Sequence, residues 1–352
     1  MVITMKKSRN ARLPGRAAEA SAAGVGGLAR SWKAVVGAGG ALRADAYVAE
    51  SSGVLSRSQI KARSAIIRVN GLEVKPSRPL KEGDELEVLW TEESADPALA
   101  EDIPLSILYE DERVLVIDKA QGMVTHPGAG NKRGTLANAL LFLTLRESSP
   151  RAAPARAGIV HRLDKDTSGA IVAAKDLEAQ AFLADQFKER RARKEYLAIV
   201  SGKSLPDSGR ISDRLGRDRR DRKRFASVAE GGKAAVTEYR VLLRWHCAAG
   251  AAGGAAYALV SLRPRTGRTH QLRVHMAGLG APILGDPIYG RKDPRFPEAT
   301  LMLHAYRLRI LLPGAVEPSL FKAPVPRRFS EIAGALNAAF GRPRGLSPQA
   351  GT

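Results

Sequence analysis

The chain has 352 residues, with 56 Lys and Arg against 36 Asp and Glu, which gives a formal net charge of +20. This length predicts two domains with tails, and the positive charge predicts a polyanionic partner, of which nucleic acid is the leading candidate. The single cysteine, Cys247, excludes a disulfide framework and a thiolate metal site, and no segment has the pattern of a membrane span or a secretory signal, which favours a soluble, cytoplasmic protein.

The N-terminal segment, residues 1–41, carries basic residues throughout and a single acidic residue, Glu19. It has no compact apolar run that would form a core. We therefore predict a flexible basic arm.

Residues 42–90 have the pattern of a small domain. Ser56 and Gln59 form a capping box that opens a helix, and Arg57 and Lys61 lie on the exposed face of that helix. An Asn-Gly pair at 70–71 predicts a hairpin turn further along the chain. A solvated surface is one interpretation of the basic helix. The order of elements, however, resembles the small RNA-binding domain named after a small-subunit ribosomal protein, and this resemblance implies that the helix grips RNA phosphates.

An acidic, proline-containing stretch at 91–103 predicts a linker, and residues 104–335 predict a second domain. Its strand patterns are separated by few helices, which favours an α+β fold with a long antiparallel or mixed sheet. A block at 210–224 holds eight basic and three acidic residues and predicts a surface hairpin or loop that contacts phosphates. The last segment, 336–352, is predicted to be a tail.

A dense polar loop lies near the middle of the second domain. Two apolar β-branched pairs, Ile159-Val160 and Ile171-Val172, bracket it and predict strands that hold the loop rigidly. Between them the chain reads His-Arg-Leu-Asp-Lys-Asp-Thr-Ser-Gly over residues 161–169. This string resembles the signature of the RluA-type pseudouridine synthases. The resemblance covers about residues 42–335 and is closest to the branch with an N-terminal ribosomal-protein-like RNA-binding domain that modifies large-subunit ribosomal RNA.

The resemblance implies a fold and a reaction. The expected fold is a pseudouridine-synthase-like catalytic domain with a mixed or antiparallel sheet, preceded by a small α+β RNA-binding domain. The expected reaction breaks the bond between ribose and uracil, rotates the base and rejoins it through carbon 5, and this chemistry needs no cofactor. The residues it implies as catalytic are Asp164 as the carboxylate, Arg273 as its ion-pair partner, and Tyr196, which stacks under uracil and assists deprotonation.

Further residues are expected to bind the substrate. The planar cation of Arg162 is expected to replace the flipped base in the RNA stack. His161, Arg268 and His270 are also expected to contact substrate or RNA. Thr269 is predicted to cap the helix that carries Arg273, which places that cation near the unfavourable positive end of the helix and calls for an anion nearby. A zinc site at His270 and His275 is excluded by their spacing.

Two other functions compete with this interpretation. A non-catalytic RNA-binding or ribosome-assembly protein would explain the charge, although it would leave the combination of Asp164, Tyr196 and Arg273 unexplained. A glycosidase that pairs Asp164 with Asp166 is disfavoured because sugar clefts need aromatic platforms and only 5% of the residues are aromatic. The sequence therefore predicts a monomeric enzyme that acts on ribosomal RNA, with transfer RNA as the alternative substrate.

Overall fold

The computed structural model describes residues 28–37, 42–51, 55, 60, 64–92, 99–128, 130–146, 155–218, 221, 224–245 and 256–345. The chain divides into two compact units, residues 1–97 and 98–352, each with its own sheet and core. In the part of the chain that is described, no helix is long and apolar enough to cross a membrane.

The first unit contains a four-stranded antiparallel sheet and a short helix. The strands run in the order β1-β4-β2-β3, and their inner faces pack against helix α1 through Val48, Ile67 and Val88. The predicted turn at 70–71 joins β2 to β3, and both of its residues have positive φ. The elements are β1 (Leu28–Val35), α1 (Ala44–Ser51), β2 (Ile66–Val69), β3 (Leu72–Val74) and β4 (Glu85–Glu92).

Strand β1 lies inside the segment that was expected to be a flexible arm. It pairs antiparallel with β4 over its full length, from Leu28 opposite Glu92 to Val35 opposite Glu85. Because an edge strand obtains its hydrogen bonds from a partner distant in sequence, its own residues show little local pattern. The prediction for residues 28–35 was therefore wrong.

The second unit is built on an eleven-stranded sheet. Its strands are β5 (Ser106–Glu110), β6 (Val114–Lys119), β7 (Ser168–Ala174), β8 (Arg193–Gly202), β9 (Ser208–Arg217), β10 (Phe225–Ser227), β11 (Lys233–Trp245), β12 (Ala256–Pro264), β13 (Leu303–Ile310), β14 (Ser319–Lys322) and β15 (Arg344–Gly345). Its helices are α2 (Leu136–Arg146), a 3-10 turn (Ala155–Gly158), α3 (Leu177–Lys188), α4 (Gln271–Gly278) and α5 (Arg327–Phe340).

The sheet of the second unit is mixed. Its main path runs β10-β9-β11-β12-β8-β13-β7-β6-β5, and all of its pairs are antiparallel except the parallel pair of β7 and β13. Strand β7 is buried along its whole length because helices cover both faces of the sheet there. The predicted α+β fold with a mixed sheet is confirmed.

The polar loop enters β7 in the interior of this sheet. Of the two strands predicted to flank it, Ile171-Val172 belongs to β7, whereas Ile159 makes only an isolated bridge to Ala173. Gly169 sits at φ +116°, and a Cβ atom there would lie 2.3 Å from the carbonyl oxygen of Ala305 on β13. Only glycine permits this close approach, which fixes where the loop ends.

Candidate active site

A pocket of about 110 Å³ opens beside the loop 161–167. The loop supplies one wall, β8 supplies Tyr196, and the segment 264–273 supplies the opposite side. The predicted site residues that line the pocket are Arg162, Asp164, Tyr196, Arg268, His270 and Arg273. The folded chain therefore brings together residues from three separate motifs of the sequence.

The backbone on both sides of Asp164 is held by buried donors. The hydroxyl of Thr125 donates to the carbonyl of Leu163 at 2.8 Å, and Nζ of Lys119 donates to that of Lys165 at 3.2 Å. Lys119 is fully buried, which lowers its pKa to about 8, and it also donates to two further carbonyls within 3 Å. Three carbonyls thus replace water as hydrogen-bond acceptors of the ammonium. Lys119 thereby fixes the backbone of the loop that carries Asp164.

Arg273 joins two carboxylates. Its Nη1 lies 3.4 Å from Oδ2 of Asp164, and its Nε and Nη2 donate to the two oxygens of Asp286 at 2.8 Å each. Burial opposes the charge of Arg273, but its hydrogen bonds to Asp286 and the charges of Asp286 and Asp164 outweigh that effect and raise its pKa. The ion pair predicted between Asp164 and Arg273 is present, and a second carboxylate orients the guanidinium in a bidentate pair.

Asp286 is the site residue that sequence reasoning missed. It is buried, and it accepts backbone N–H bonds from Ile288 and Tyr289 as well as the fork of Arg273. Burial raises its pKa, but these hydrogen bonds and the guanidinium charge more than offset that and lower it overall. The five donors of a guanidinium indicate that Arg273 needs acceptors besides Asp164, but they do not indicate which residue supplies them.

Tyr196 is 8% exposed at the pocket wall. Its burial, and then the nearby charge of Asp164, raise the pKa of its phenol well above the ordinary value. The hydroxyl therefore keeps its proton at neutral pH and is a hydrogen-bond donor toward anything in the pocket.

His270 precedes helix α4 in the left-handed conformation, at φ 55°. It takes the N-cap position predicted for Thr269, and its side chain makes no cap bond. Its Nδ1 lies 2.9 Å from the hydroxyl of Tyr289, which in turn accepts the N–H of Phe225 at 2.8 Å. Burial lowers the pKa of His270, which favours the neutral ring.

The contacts of His270 favour one tautomer. If Tyr289 donates to Nδ1, the proton of the ring lies on Nε2, which faces Oδ2 of Asp164 at 3.9 Å. The other tautomer would turn a lone pair toward that carboxylate, which is repulsive. His270 thus presents an N–H donor to the pocket.

Among the described residues, one predicted site residue, His161, does not line this pocket. The ring of His161 stacks on Phe187 at 4.3 Å, and its Nε2 accepts the N–H of Val172 at 3.0 Å. Burial lowers the pKa of His161 to about 3, so the ring is a neutral acceptor within the fold, and its contact with the substrate stays a prediction. Arg57 and Lys61 lie outside the described residues.

The basic block at 210–224 enters the hairpin of β9 and β10, where Leu215 lies opposite Ser227. The guanidinium of Arg217 lies 5.4 Å from the ring of Phe225, and that of Arg224 lies 5.3 Å from the ring of Tyr289. The hairpin therefore approaches the same tyrosine that contacts His270. Among the described residues, no group of three or more His, Cys, Asp or Glu side chains is placed to hold a metal ion.

The comparisons with known proteins agree with this geometry. A family profile described as RNA pseudouridylate synthase matches residues 113–278. The chain is 42% identical to "Ribosomal large subunit pseudouridine synthase D" of Borreliella burgdorferi over 82% of this chain and 88% of that protein. The protein of the same name from Xanthomonas campestris pv. campestris is also 42% identical, over 84% of this chain and 88% of its own length.

A solved structure supports the same assignment. "Human RNA Pseudouridylate Synthase Domain Containing 1" matches 71% of this chain and 93% of its own chain, with a TM-score of 0.53 and 30% identity. The chain therefore belongs to the RNA pseudouridylate synthase family, the isomerases that convert uridine to pseudouridine in RNA.

Proposed function

We propose that this enzyme isomerises specific uridines of large-subunit ribosomal RNA and that Asp164 is its catalytic carboxylate. The observation that carries the proposal is the pair of Asp164 and Arg273, in which a partly exposed carboxylate faces a buried guanidinium at 3.4 Å. The names of the relatives support ribosomal RNA as the substrate. Transfer RNA is the alternative substrate.

The reaction needs a negative charge beside the ribose. The bond from the anomeric carbon to uracil N1 breaks, a bond to C5 forms, C5 loses its proton, and N1 gains one. Asp164 acts at the sugar, either by attack on the anomeric carbon or by removal of a ribose proton, and Arg273 orients it. Asp286 fixes the orientation of Arg273. The carboxylate of Asp164 is therefore already oriented toward the sugar when the substrate binds.

Tyr196 and His270 hold the base. Tyr196 supplies an aromatic wall and a protonated hydroxyl, and its raised pKa makes it a poor general base at neutral pH. The Nε2–H of His270 donates a hydrogen bond to a uracil carbonyl or to Asp164. Arg268 also lines the pocket, with its Nε on the carbonyl of Ala234, and contacts the RNA from there.

Arg162 stabilises the flipped nucleotide from outside. Its side chain is exposed at the pocket rim, two residues before Asp164. Extrusion of a base from structured RNA costs a few kcal/mol, and a planar guanidinium that stacks in the vacated position offsets part of that cost.

We infer further that residues 42–90 bind RNA, with Arg57 and Lys61 on phosphates, and that one chain suffices for activity as a cytoplasmic monomer. The described residues that line the pocket all belong to the second unit of one chain, which supports activity without the first unit or a second chain. A fragment without residues 1–97 should fold and convert uridine in a short stem-loop, while its affinity for large RNA falls. A folded fragment with no turnover would show that the division of labour is wrong.

The substrate is tested by mapping pseudouridines. Ribosomal and transfer RNA from cells with and without the gene are sequenced for pseudouridine, and the purified enzyme is then added to the RNA of the deletion strain. We expect positions in large-subunit ribosomal RNA to disappear in the deletion and to return with the enzyme. Loss confined to transfer RNA would overturn the ribosomal substrate, and no loss in any RNA would overturn the proposal.

A further inference from the structure

A second and larger cavity lies beside the active-site pocket. It has a volume of about 360 Å³, and neighbouring strands β12, β8 and β13 form its walls. Lys194 and Pro264 line both cavities, so the two are adjacent. The proposed mechanism does not use this larger cavity, the basic cleft.

The basic cleft is lined mainly by cations. Its one acidic lining residue among those described is Glu195, which pairs with Arg307 at 3.3 Å and Arg263 at 3.5 Å. Arg265 pairs with Glu238 outside the lining. The cations of the lining with no carboxylate partner in the described part of the chain are Arg190, Arg193, Lys194 and Arg309.

Two of these cations face each other in the sheet. Arg193 of β8 and Arg309 of β13 are direct partners in the antiparallel ladder, and both side chains are exposed. Like charges opposite each other in a sheet are destabilising, so the pair is a cost to the free protein. A bound anion would offset this repulsion.

We propose that the basic cleft binds phosphodiester groups of the RNA strand next to the target nucleotide, an inference that rests on the proposed function. Guanidinium groups bind phosphate oxygens in bidentate fashion, and several of them in one concave site favour an anion with repeated charges. The shared wall at Lys194 and Pro264 favours RNA over an acidic peptide, because a nucleotide in the pocket has its flanking phosphates within reach of the cleft.

The test is the double variant Arg193→Ala/Arg309→Ala, with Arg146→Ala/Arg327→Ala as the control. The control removes two exposed cations of the same unit that line neither cavity. Affinity for a stem-loop with the target uridine is measured by filter binding from 50 to 200 mM salt. The cleft variant should bind more weakly, and the slope of log affinity against log salt should fall by about 1 to 2, since each lost phosphate contact removes about 0.7 to 0.9. The control should keep the slope of the wild type.

A second measurement separates binding from folding. Without RNA, the cleft variant should unfold at the same or a higher urea concentration than the wild type, because a like-charge contact has been removed. A wild-type slope in the cleft variant would overturn the proposal, and so would a loss of slope that comes with a loss of stability. The wild-type enzyme is assayed for pseudouridine on the same RNA. Absence of product there would refute the proposed function, whereas product with an unchanged slope would refute only the cleft.

Discussion

The candidate active-site pocket and the basic cleft are adjacent, but their cations differ in burial and in pairing with carboxylates. In the pocket, the cation of Arg273 is buried and matched by the carboxylates of Asp286 and Asp164. In the cleft, exposed cations outnumber carboxylates, and Arg193 lies opposite Arg309. A matched buried charge is costly to disturb and therefore fixes geometry, whereas an unmatched exposed charge is free to meet a polyanion. The two proposals therefore place the chemistry in the first region and affinity for RNA in the second.

The largest expected difference between the two regions is in their response to salt. If the enzyme makes about 6 to 10 phosphate contacts, its affinity for RNA should fall roughly a thousandfold between 50 and 200 mM salt. The single-turnover rate at saturating RNA should change little, because the buried pair of Arg273 and Asp286 is poorly screened. Filter binding and rapid-quench assays on one RNA measure the two quantities. An affinity that does not depend on salt would contradict the electrostatic account.

Arg273→Lys should damage the pocket and spare binding. Lysine keeps the positive charge but cannot form the bidentate pair with Asp286 while it reaches Asp164. We expect kcat to fall on the order of 100-fold, which corresponds to about 2.7 kcal/mol, with Kd for RNA nearly unchanged. Steady-state kinetics and filter binding check this.

Asp286→Asn is the matched test of the same arrangement. The amide keeps the size of the side chain and removes the charge that orients Arg273, so kcat should fall in the same direction. The double variant should lose less than the product of the two single losses, because both act on one contact. Full activity in Asp286→Asn would show that Asp286 does not position Arg273.

The buried histidine His304 gives a smaller effect on stability. Burial lowers its pKa to about 4, from an ordinary value of 6.5, so the unfolded chain binds this proton first as the pH falls. Stability is therefore complete above pH 6.5 and is lost below it, by about 2 kcal/mol at pH 5 from this group. Urea unfolding at pH 7.5 and pH 5 should show a smaller difference for His304→Gln than for the wild type. An equal difference would show that His304 does not contribute.

The motifs and their resemblance to the family predicted six residues that line the pocket. Asp164 lies in a contiguous string of nine residues, and Tyr196 and Arg273 lie in strand and helix patterns whose resemblance to the family was specific. Asp286 was missed because its role depends on a loop that returns the chain to helix α4. That return is a tertiary contact, which no local pattern predicts.

Two structural roles were not predicted from the sequence. His161 was expected to bind substrate because it lies in a polar loop, and its ring also stacks on Phe187 and accepts a hydrogen bond from β7. Strand β1 was expected to be part of an arm, yet β4 provides its hydrogen bonds. Residue type predicts whether a segment is polar or apolar. The direction of a side chain and the partner of an edge strand depend on the folded structure.

The division between chemistry and affinity is tested most directly by Asp164→Asn, which removes the charge of the carboxylate and keeps its size. Pseudouridine formation and RNA affinity are measured on one preparation, with Asp166→Asn as the control. We expect product from Asp164→Asn to fall to background with Kd unchanged or slightly tighter, since a negative charge that faces a polyanion has been removed. Asp166→Asn should retain substantial activity. Near-normal product from Asp164→Asn, or an equal loss from both variants, would contradict the account.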